Sequence, residues 1–283
     1  MKTFPDCYAC LLGQAVSAVK YNTSDPEMQF RTLREVLQIL AEVDDALSPS
    51  EITGETNRLI KKNTGVIDLY DDKKKASHFL ALNYIEDLRK LLGEGKDLLE
   101  QGAKISAAGN IIDIIHVGDY DLWQEVESTV KQDLIGGGLE AFRRSLESAP
   151  YLLYLADNVG ETIFDRVFIE SLDIPVIYAV KGEPILNDAT LDDAIAAGID
   201  KVAKVVDTGT WSPGTVLHQA TEEFQQLFAN SLLVLSKGQA NYEAMDEEGQ
   251  KVFFLLRVKC PILSQQIEAP VGSLVFKQGR PSG

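Results

Sequence analysis

The sequence predicts an α/β protein: a three-layer αβα sandwich with a mostly parallel, Rossmann-like sheet, plus an N-terminal all-helical subdomain. In the first hundred residues, apolar side chains recur at three- and four-residue steps, the period of helices that bury one face. From Lys104 onward, short apolar runs alternate with amphipathic segments at the spacing of βα units. We therefore divide the chain into a helical subdomain, residues 1–100, and an αβα domain, residues 101–283.

The N-terminal helices are predicted from the residues that start them. Asp, Pro and Glu at 25–27 supply an N-cap, a proline at the first helical position and an acidic first turn. They predict a helix over 26–47, and Ser-Pro at 48–49 starts another in the same way. The segment 71–92 keeps helical spacing throughout and is expected to form one long helix. No strand is expected before about residue 100.

The strands of the second domain are predicted from apolar runs without polar alternation, which indicate a sheet covered by helices on both faces. These runs lie at 151–156, 174–180, 202–206, 231–235 and 252–258. The amphipathic segments among them predict helices at 160–172, 190–198, 215–229 and 240–249. Because such a sheet binds ligands beyond the carboxyl ends of its strands, the residues after each run form the candidate site.

Composition excludes several classes of protein. Of the 283 residues, 45% are hydrophobic and 25% are charged, which is the usage of a folded globular protein. Asp and Glu number 43 against 27 Lys and Arg, so the formal net charge of −16 repels nucleic acid and anionic membrane surfaces. The sequence contains no run of about 18 apolar residues, the length that spans a membrane. Neither a nucleic-acid nor a membrane partner is therefore expected.

The N-terminus and the cysteines predict a cytoplasmic protein. The first residues lack the layout of a secretory signal. Cys7, Cys10 and Cys260 are an odd number in a chain that is large enough to fold without disulfides. The CxxC pair is open to three interpretations: half of a zinc site, a redox pair, or thiols packed on one helical turn.

Oxygen ligands follow two of the predicted strands. The run at 151–156 is followed by Asp157 and Asn158, and the run at 174–180 is followed by Asp188. Two carboxylates and an amide oxygen suit Mg²⁺ or Mn²⁺ better than a thiol-preferring metal. Each acidic residue taken alone is also an ordinary helix cap. Their joint occurrence favours a metal site.

Lysines and glycines complete the strand-end pattern. Lys181, Lys237 and Lys259 each end an apolar run, where a lysine can bind phosphate as a point charge. Glycines in the same loops permit close backbone approach to a ligand at helix N-termini, and they are Gly160, Gly182, Gly209, Gly214 and Gly238. Each one alone is also explained as a solvated loop residue. The set predicts a metal-assisted site for a phosphate-bearing ligand.

Six separated segments then resemble, in order along the chain, the motifs of the damage-control phosphatases. They are GNIIDI (109–114), LADNVGETIFD (155–165), VKGEPILNDAT (180–190), DTGTWSPGT (207–215), LSKGQANYE (235–243) and LLRVKCP (255–261). CYAC at 7–10 is similar to the CxxC of the prokaryotic subgroup of that family. The segment 208–213 departs from the family pattern, which has a Gly-Ser-Asp-like run there, so Trp211 is expected to alter the substrate pocket.

The resemblance implies a metal-dependent phosphatase acting on small phosphorylated metabolites: sugar phosphates, damaged phosphometabolites or nucleotide monophosphates. It implies a divalent cation, Mn²⁺, Co²⁺, Ni²⁺ or Mg²⁺, and no organic cofactor. The metal-ligand positions of the family match Asp157, Asn158 and Asp188, and its phosphate-binding positions match Lys237 and Lys259. Substrate contacts are expected from Asn110, Asp113, Glu161 and Gly209.

Several alternatives stay open at this point. The nucleophile is either a metal-bound water or Asp157, which would form an aspartyl phosphate. Asp157 and Glu161 at strand ends also suit an S-adenosylmethionine-dependent carboxyl methyltransferase, and a non-catalytic sensor would bind a phosphometabolite without turnover. Ser236 lacks a G-x-S-x-G context and no G-x-G-x-x-G follows a strand, which disfavours a serine hydrolase and a dinucleotide fold. The oligomeric state is not predicted.

Overall fold

The computed structural model describes residues 1–44, 46–112 and 122–281, and it confirms the α/β class. The helices are α1 Pro5–Asn22, α2 Pro26–Glu42, α3 Pro49–Thr64, α4 Asp71–Leu82, α5 Ile85–Gly93, α6 Leu98–Ala108, α7 Leu122–Val130, α8 Leu139–Ser148, α9 Thr162–Glu170, α10 Leu191–Ala196, α11 Glu222–Asn230, α12 Gly238–Met245 and α13 Pro261–Ile267. The strands are β1 Leu134–Ile135, β2 Leu152–Leu155, β3 Val176–Val180, β4 Lys204–Asp207, β5 Val234–Lys237, β6 Val252–Arg257 and β7 Leu274–Gln278.

The strands form one mostly parallel sheet in the order β1-β7-β6-β5-β2-β3-β4. The five strands predicted from apolar runs, β2 to β6, are confirmed and run parallel to one another. Two strands were not predicted: β7 pairs antiparallel with β6, and β1 pairs parallel with β7. Strand β1 ends immediately before the glycines at 136–138.

The predicted helix starts are confirmed by their caps. The Asp25 side chain accepts a hydrogen bond from the Glu27 backbone N–H, and Ser48 forms a reciprocal capping box with Glu51. The predicted ends are less accurate. The helix predicted over 26–47 ends at Glu42, because the following residue is extended, and the single helix predicted over 71–92 is the pair α4 and α5.

Three apolar clusters hold the chain together. One face of the sheet packs against α4 to α10, and the opposite face packs against α11 to α13. Helices α1 to α3 surround a third cluster of their own, which includes Leu11, Val36 and Ile52. The division predicted at residue 100 stays a prediction, and the packing favours a boundary near residue 70, since α4 to α6 share a cluster with the sheet. Among the described helices, none is long and apolar enough to span a bilayer.

Candidate active site

Two loops meet at the carboxyl ends of β2 and β3. Asn158 and Asp188 form an isolated antiparallel bridge between the loops. The Ala189 backbone N–H donates to the Asp157 carbonyl oxygen at 2.9 Å, and the Val159 N–H donates to the Asn187 carbonyl oxygen, also at 2.9 Å. Backbone hydrogen bonds thus bring the three predicted ligands, Asp157, Asn158 and Asp188, to one place at the end of the sheet, as the strand-end argument expected.

A cavity of about 610 Å³ opens over this junction. Its sheet-side wall includes the three predicted ligands and Lys259, whose side chain is exposed. The rest of the lining includes Cys7, Cys10 and Gln14 of α1, Ser50 of α3, Gln239 and Glu243 of α12, and Cys260 just before α13. The helical N-terminal region and the sheet therefore share one pocket.

The carboxylates at the base of the pocket are buried, and burial raises their pKa values. Asp157 is 5% exposed and Asp188 is 2% exposed. Burial, then Glu161 and Asp188, raise the pKa of Asp157 well above its usual range. Burial also raises the pKa of Asp188 to about 6, although Lys181 Nζ lies 3.6 Å from its Oδ2 and opposes the shift. That Oδ2 atom is buried without a hydrogen-bond partner among the described residues.

These features fit a divalent cation. The Asn158 amide nitrogen donates to Glu161 Oε1 at 2.9 Å and to Asp157 Oδ2 at 3.2 Å, which uses both of its hydrogens and leaves Oδ1 as a ligand atom. Two carboxylates and this amide oxygen form a hard donor set. Within the described ranges, no group of three or more His, Cys, Asp and Glu side chains is arranged for a metal, and the predicted set contains two such side chains.

Gly238 explains how Asp157 is accommodated. This glycine starts α12 with a φ of +79°, in the left-handed region, and a Cβ placed on it would lie 1.9 Å from Asp157 Oδ2. The Asp157 carboxylate therefore occupies the space that a side chain at position 238 would need. Of the glycines selected from the sequence, two contact a predicted ligand: Gly238 leaves room for Asp157, and the Gly214 backbone N–H donates to the Asp188 carboxylate and opposes the rise in its pKa.

Lys237 lies behind the pocket wall. It is 1% exposed, and its ammonium group donates to Glu161 Oε2 at 2.8 Å, to Asp165 Oδ1 at 2.7 Å and to the Ser106 carbonyl oxygen at 3.3 Å. An ammonium group has three hydrogens, so these contacts use all of its donors. Direct phosphate binding by Lys237 stays a prediction and would require one of these contacts to be exchanged. Lys259 lines the pocket itself.

The residues predicted to contact substrate divide into three cases. Asn110 and Glu161 are buried behind Asn158, where the Asn110 amide nitrogen donates to Glu161 Oε1. Burial raises the pKa of Glu161, but the ion pair and hydrogen bond with Lys237 and the hydrogen bond from Asn110 lower it by more. The net shift is therefore downward, and the carboxylate stays ionised. Gly209 lies elsewhere, against Thr221, and a Cβ there would be 2.6 Å from the Thr221 methyl carbon. Asp113 lies outside the described residues.

Trp211 packs against helix α3. The Arg58 guanidinium of α3 stacks on its ring at 3.6 Å from the centroid, and Gly54 of the same helix leaves room for the ring edge. Arg58 also pairs with Glu183 in the loop that carries Asp188, at 3.0 Å. The side chain thus joins α3 to the strand-end loops, and the expectation that Trp211 alters the substrate pocket stays a prediction.

Two buried acidic residues were missed at the sequence level. Asp165 on α9 accepts hydrogen bonds in the core behind the site, and Glu243 on α12 lines the pocket with its pKa raised by burial. Both lie inside segments that resemble family motifs, DNVGETIFD and KGQANYE. Their helical positions gave no separate signal, since an acidic residue on a helix is usually solvated.

The fold and the pocket together define an α/β protein with an acidic, cation-compatible site at the carboxyl ends of a parallel sheet. A family model described as the damage-control phosphatase ARMT1-like domain matches residues 3–275. The chain belongs to this family.

Relatives and a solved structure agree with that assignment. An uncharacterized protein of Methanocaldococcus jannaschii is 32% identical over 98% of this chain and 95% of its own length. A damage-control phosphatase of Pyrococcus horikoshii is 31% identical over 99% of both chains. One of Archaeoglobus fulgidus is 27% identical over 98% of this chain and 99% of its own. The crystal structure of a DUF89 family protein from Pyrococcus horikoshii superposes with a TM-score of 0.92 at 29% identity, covering 99% of this chain and 100% of that one.

Proposed function

We propose that this protein is a metal-dependent phosphatase that hydrolyses phosphate monoesters of small metabolites. The observation that carries the proposal is the buried Asp188 Oδ2, beside Asp157 at the base of an open pocket: it accepts no hydrogen bond from the described residues, and its charge partner Lys181 Nζ is 3.6 Å away. Two buried carboxylates with raised pKa values are costly unless a cation neutralises them. Family membership and the names of two relatives support phosphate-ester hydrolysis.

Asp157, Asp188 and the amide oxygen of Asn158 are the residues that would hold the cation. When bound, a divalent cation supplies charge neutralisation to the phosphate oxygens as the P–O bond breaks. Lys259, on the pocket wall, would bind a phosphate oxygen directly and orient the ester toward Asp157. Lys181 balances the charge of Asp188 from the protein side, at 3.6 Å. Glu161 holds the Asn158 amide.

The substrate class we propose is the phosphorylated metabolite: sugar phosphates, damaged phosphometabolites or nucleotide monophosphates. The pocket volume of about 610 Å³ accommodates each of these. We further propose that the metal is Mn²⁺, Co²⁺, Ni²⁺ or Mg²⁺. A reducing, cytoplasmic location suits the three free thiols.

Phosphate release from metal-stripped protein tests the proposal. The protein is supplied in turn with Mg²⁺, Mn²⁺, Co²⁺ and Ni²⁺ and assayed against sugar phosphates, nucleotides and p-nitrophenyl phosphate. We expect turnover that requires a metal and that falls at least about 100-fold in Asp188→Asn, because that variant removes a ligand charge and keeps the side-chain shape.

Asp192→Asn is the matched control, since Asp192 is an exposed carboxylate in the first turn of α10, close to Asp188 in sequence. It should retain full turnover. Metal-dependent turnover unchanged in Asp188→Asn would overturn the ligand assignment. Metal and ligand binding without phosphate release from any substrate would favour the sensor, and methyl transfer without metal would favour the methyltransferase.

A further inference from the structure

Asp165 is the centre of a buried hydrogen-bond network behind the pocket. It lies on α9, is 0% exposed, and accepts from four side chains. Ser106, Tyr154 and Lys237 donate to its Oδ1 atom, each at 2.7 Å, and Tyr178 donates to its Oδ2 atom at 2.8 Å.

The donors come from distant parts of the chain. Ser106 lies on α6, Tyr154 on β2, Tyr178 on β3 and Lys237 at the end of β5. Side chains from three neighbouring strands and one helix are therefore fixed around one carboxylate of a second helix, α9. Tyr154 and Tyr178 also stack, with ring centroids 5.2 Å apart, so their hydroxyl groups reach Asp165 together.

The network continues from Asp165 to a predicted metal ligand. Lys237 bridges the Asp165 and Glu161 carboxylates, at 2.7 Å and 2.8 Å. The other oxygen of Glu161 accepts from the amide nitrogens of Asn110 and Asn158. Because Glu161 and Asp157 both accept from the same end of the Asn158 amide, that end must be the NH₂ group. The carbonyl oxygen Oδ1 is then the end available to a cation.

We propose that Asp165 is a positioning residue: it fixes Lys237, which fixes Glu161, which orients the Asn158 amide with Oδ1 toward the cation. This inference rests on the proposed function, since it assigns a role to residues behind the metal ligands. Asp165 acts through Lys237 and Glu161 and does not touch the substrate.

The chemistry of the group supports a role beyond packing. Burying two carboxylates and one ammonium is costly, and apolar residues of similar volume often replace such groups without loss of stability. A network that orients a metal ligand justifies that cost, since mutating the residues that hold metal ligands typically lowers metal affinity 10- to 100-fold. The hydroxyl groups of Tyr154, Tyr178 and Ser106 offset the remaining charge on Asp165 and hold it in one rotamer.

Mn²⁺ binding to the Asp165→Asn variant tests the inference. The full chain is stripped of metal, and its Kd for Mn²⁺ is measured by electron paramagnetic resonance, beside its melting temperature without metal. Asparagine keeps the shape of the side chain and removes the charge that holds Lys237. We expect the Kd to rise about tenfold or more. Asp200→Asn removes one exposed surface charge and should leave the Kd unchanged.

Tyr154→Phe is the second variant and keeps every charge. It removes one donor from Asp165 Oδ1, so we expect a smaller rise in Kd, of about threefold. If Asp165→Asn does not fold, this variant decides the question. A purely structural role would lower the melting temperature and leave the Kd of the folded protein unchanged, and that result in either folded variant overturns the inference.

Mn²⁺ binding and phosphate release by the parent protein distinguish a failure of this inference from a failure of the proposed function. A parent that neither binds Mn²⁺ nor releases phosphate overturns the proposed function, and this inference with it. A parent that binds Mn²⁺ and releases phosphate, with variants that bind equally well, overturns only the role of Asp165.

Discussion

The two walls of the pocket are built in different ways. On the sheet side, Asp157, Asn158 and Asp188 are buried, joined by a backbone bridge and backed by hydrogen-bonded carboxylates and lysines. On the side formed by helix α1, called the helix side below, Cys10 is exposed, and its sulfur accepts one long contact from Gln14, at 3.8 Å. Side chains with several buried partners are held in one geometry, as a reaction requires, whereas side chains with few partners can move to fit a ligand. We infer that the sheet side performs the reaction and the helix side selects the substrate.

Gly238→Ala gives the largest expected effect, because it disrupts the fixed wall directly. The added Cβ would lie 1.9 Å from Asp157 Oδ2, so the carboxylate must move. We expect metal-dependent turnover of p-nitrophenyl phosphate to fall at least about 100-fold. Steady-state kinetics, with circular dichroism to check folding, measure it.

Gly272→Ala is the control for backbone strain in that experiment. Gly272 also has a left-handed φ, of +93°, but a Cβ there meets nothing within 4 Å. It should lose stability and keep its turnover. Equal losses of turnover in the two variants would mean that the contact with Asp157 does not matter for turnover. The sheet side would then not be the rigid side of the pocket.

The pH dependence of stability gives an intermediate effect. The folded-state pKa of Asp188 is about 6, above the ordinary value of 3.8, so the folded state binds this proton more tightly than the unfolded state does. The contribution of Asp188 to the free energy of unfolding is therefore fully present below the ordinary pKa and is lost as pH rises through about 6. In metal-free protein we expect a loss of ~1–3 kcal/mol between pH 4 and pH 7.5 from this group.

Urea unfolding in EDTA at several pH values measures that loss. Asp188→Asn should remove it, and the difference between the two proteins isolates Asp188 from the other carboxylates. Adding Mn²⁺ at pH 7.5 should stabilise the parent protein and not the variant. If the free energy of unfolding changes with pH equally in parent and variant, ionisation of Asp188 does not destabilise the folded protein.

Substitutions on the helix side give the smallest expected effect. Cys10→Ser should change the turnover number less than about twofold, because the thiol has few partners to lose. In a Cys7→Ser/Cys260→Ser background, a bulky maleimide on Cys10 should raise KM more than it lowers kcat, because it fills the pocket away from the ligands. Loss of kcat on a scale similar to Gly238→Ala would place the chemistry on both walls.

The labelling rate of Cys10 adds a second measurement of this wall. Desolvation and the nearby Glu243 raise the pKa of Cys10 above its ordinary value of 9.0, so the thiol is protonated at neutral pH. We expect the rate of maleimide labelling to keep rising beyond pH 9. A rate that levels off below pH 8 would indicate an activated thiolate and favour the redox interpretation of the CxxC pair.

The sequence was most informative where a local pattern determines structure. Caps predicted the starts of α2 and α3, and apolar runs predicted β2 to β6, whose ends carry Asp157 and Asp188. Strand β7 was missed because its last two residues, Lys277 and Gln278, are polar and the apolar part is only three residues long. The break between α4 and α5 was missed because no glycine or proline marks it.

Contacts between distant segments could not be predicted. Asp165 meets side chains from α6, β2, β3 and β5, and no sequence spacing encodes that meeting. Lys237 was selected correctly as a polar residue at a strand end, but its direction, toward Glu161 and Asp165 rather than the pocket, depends on packing. Position in the sheet was predictable from local pattern, whereas orientation of a side chain depended on its neighbours in space.

Strand β7 covers an edge of the sheet that would otherwise be open. It pairs with β6 along five residues and is the strand against which β1 pairs. Without β7, β6 would present an open edge rich in Phe and Leu, and β1 would have no strand beside it in the sheet. An open apolar edge is a template for aggregation, so β7 protects the sheet by covering that edge.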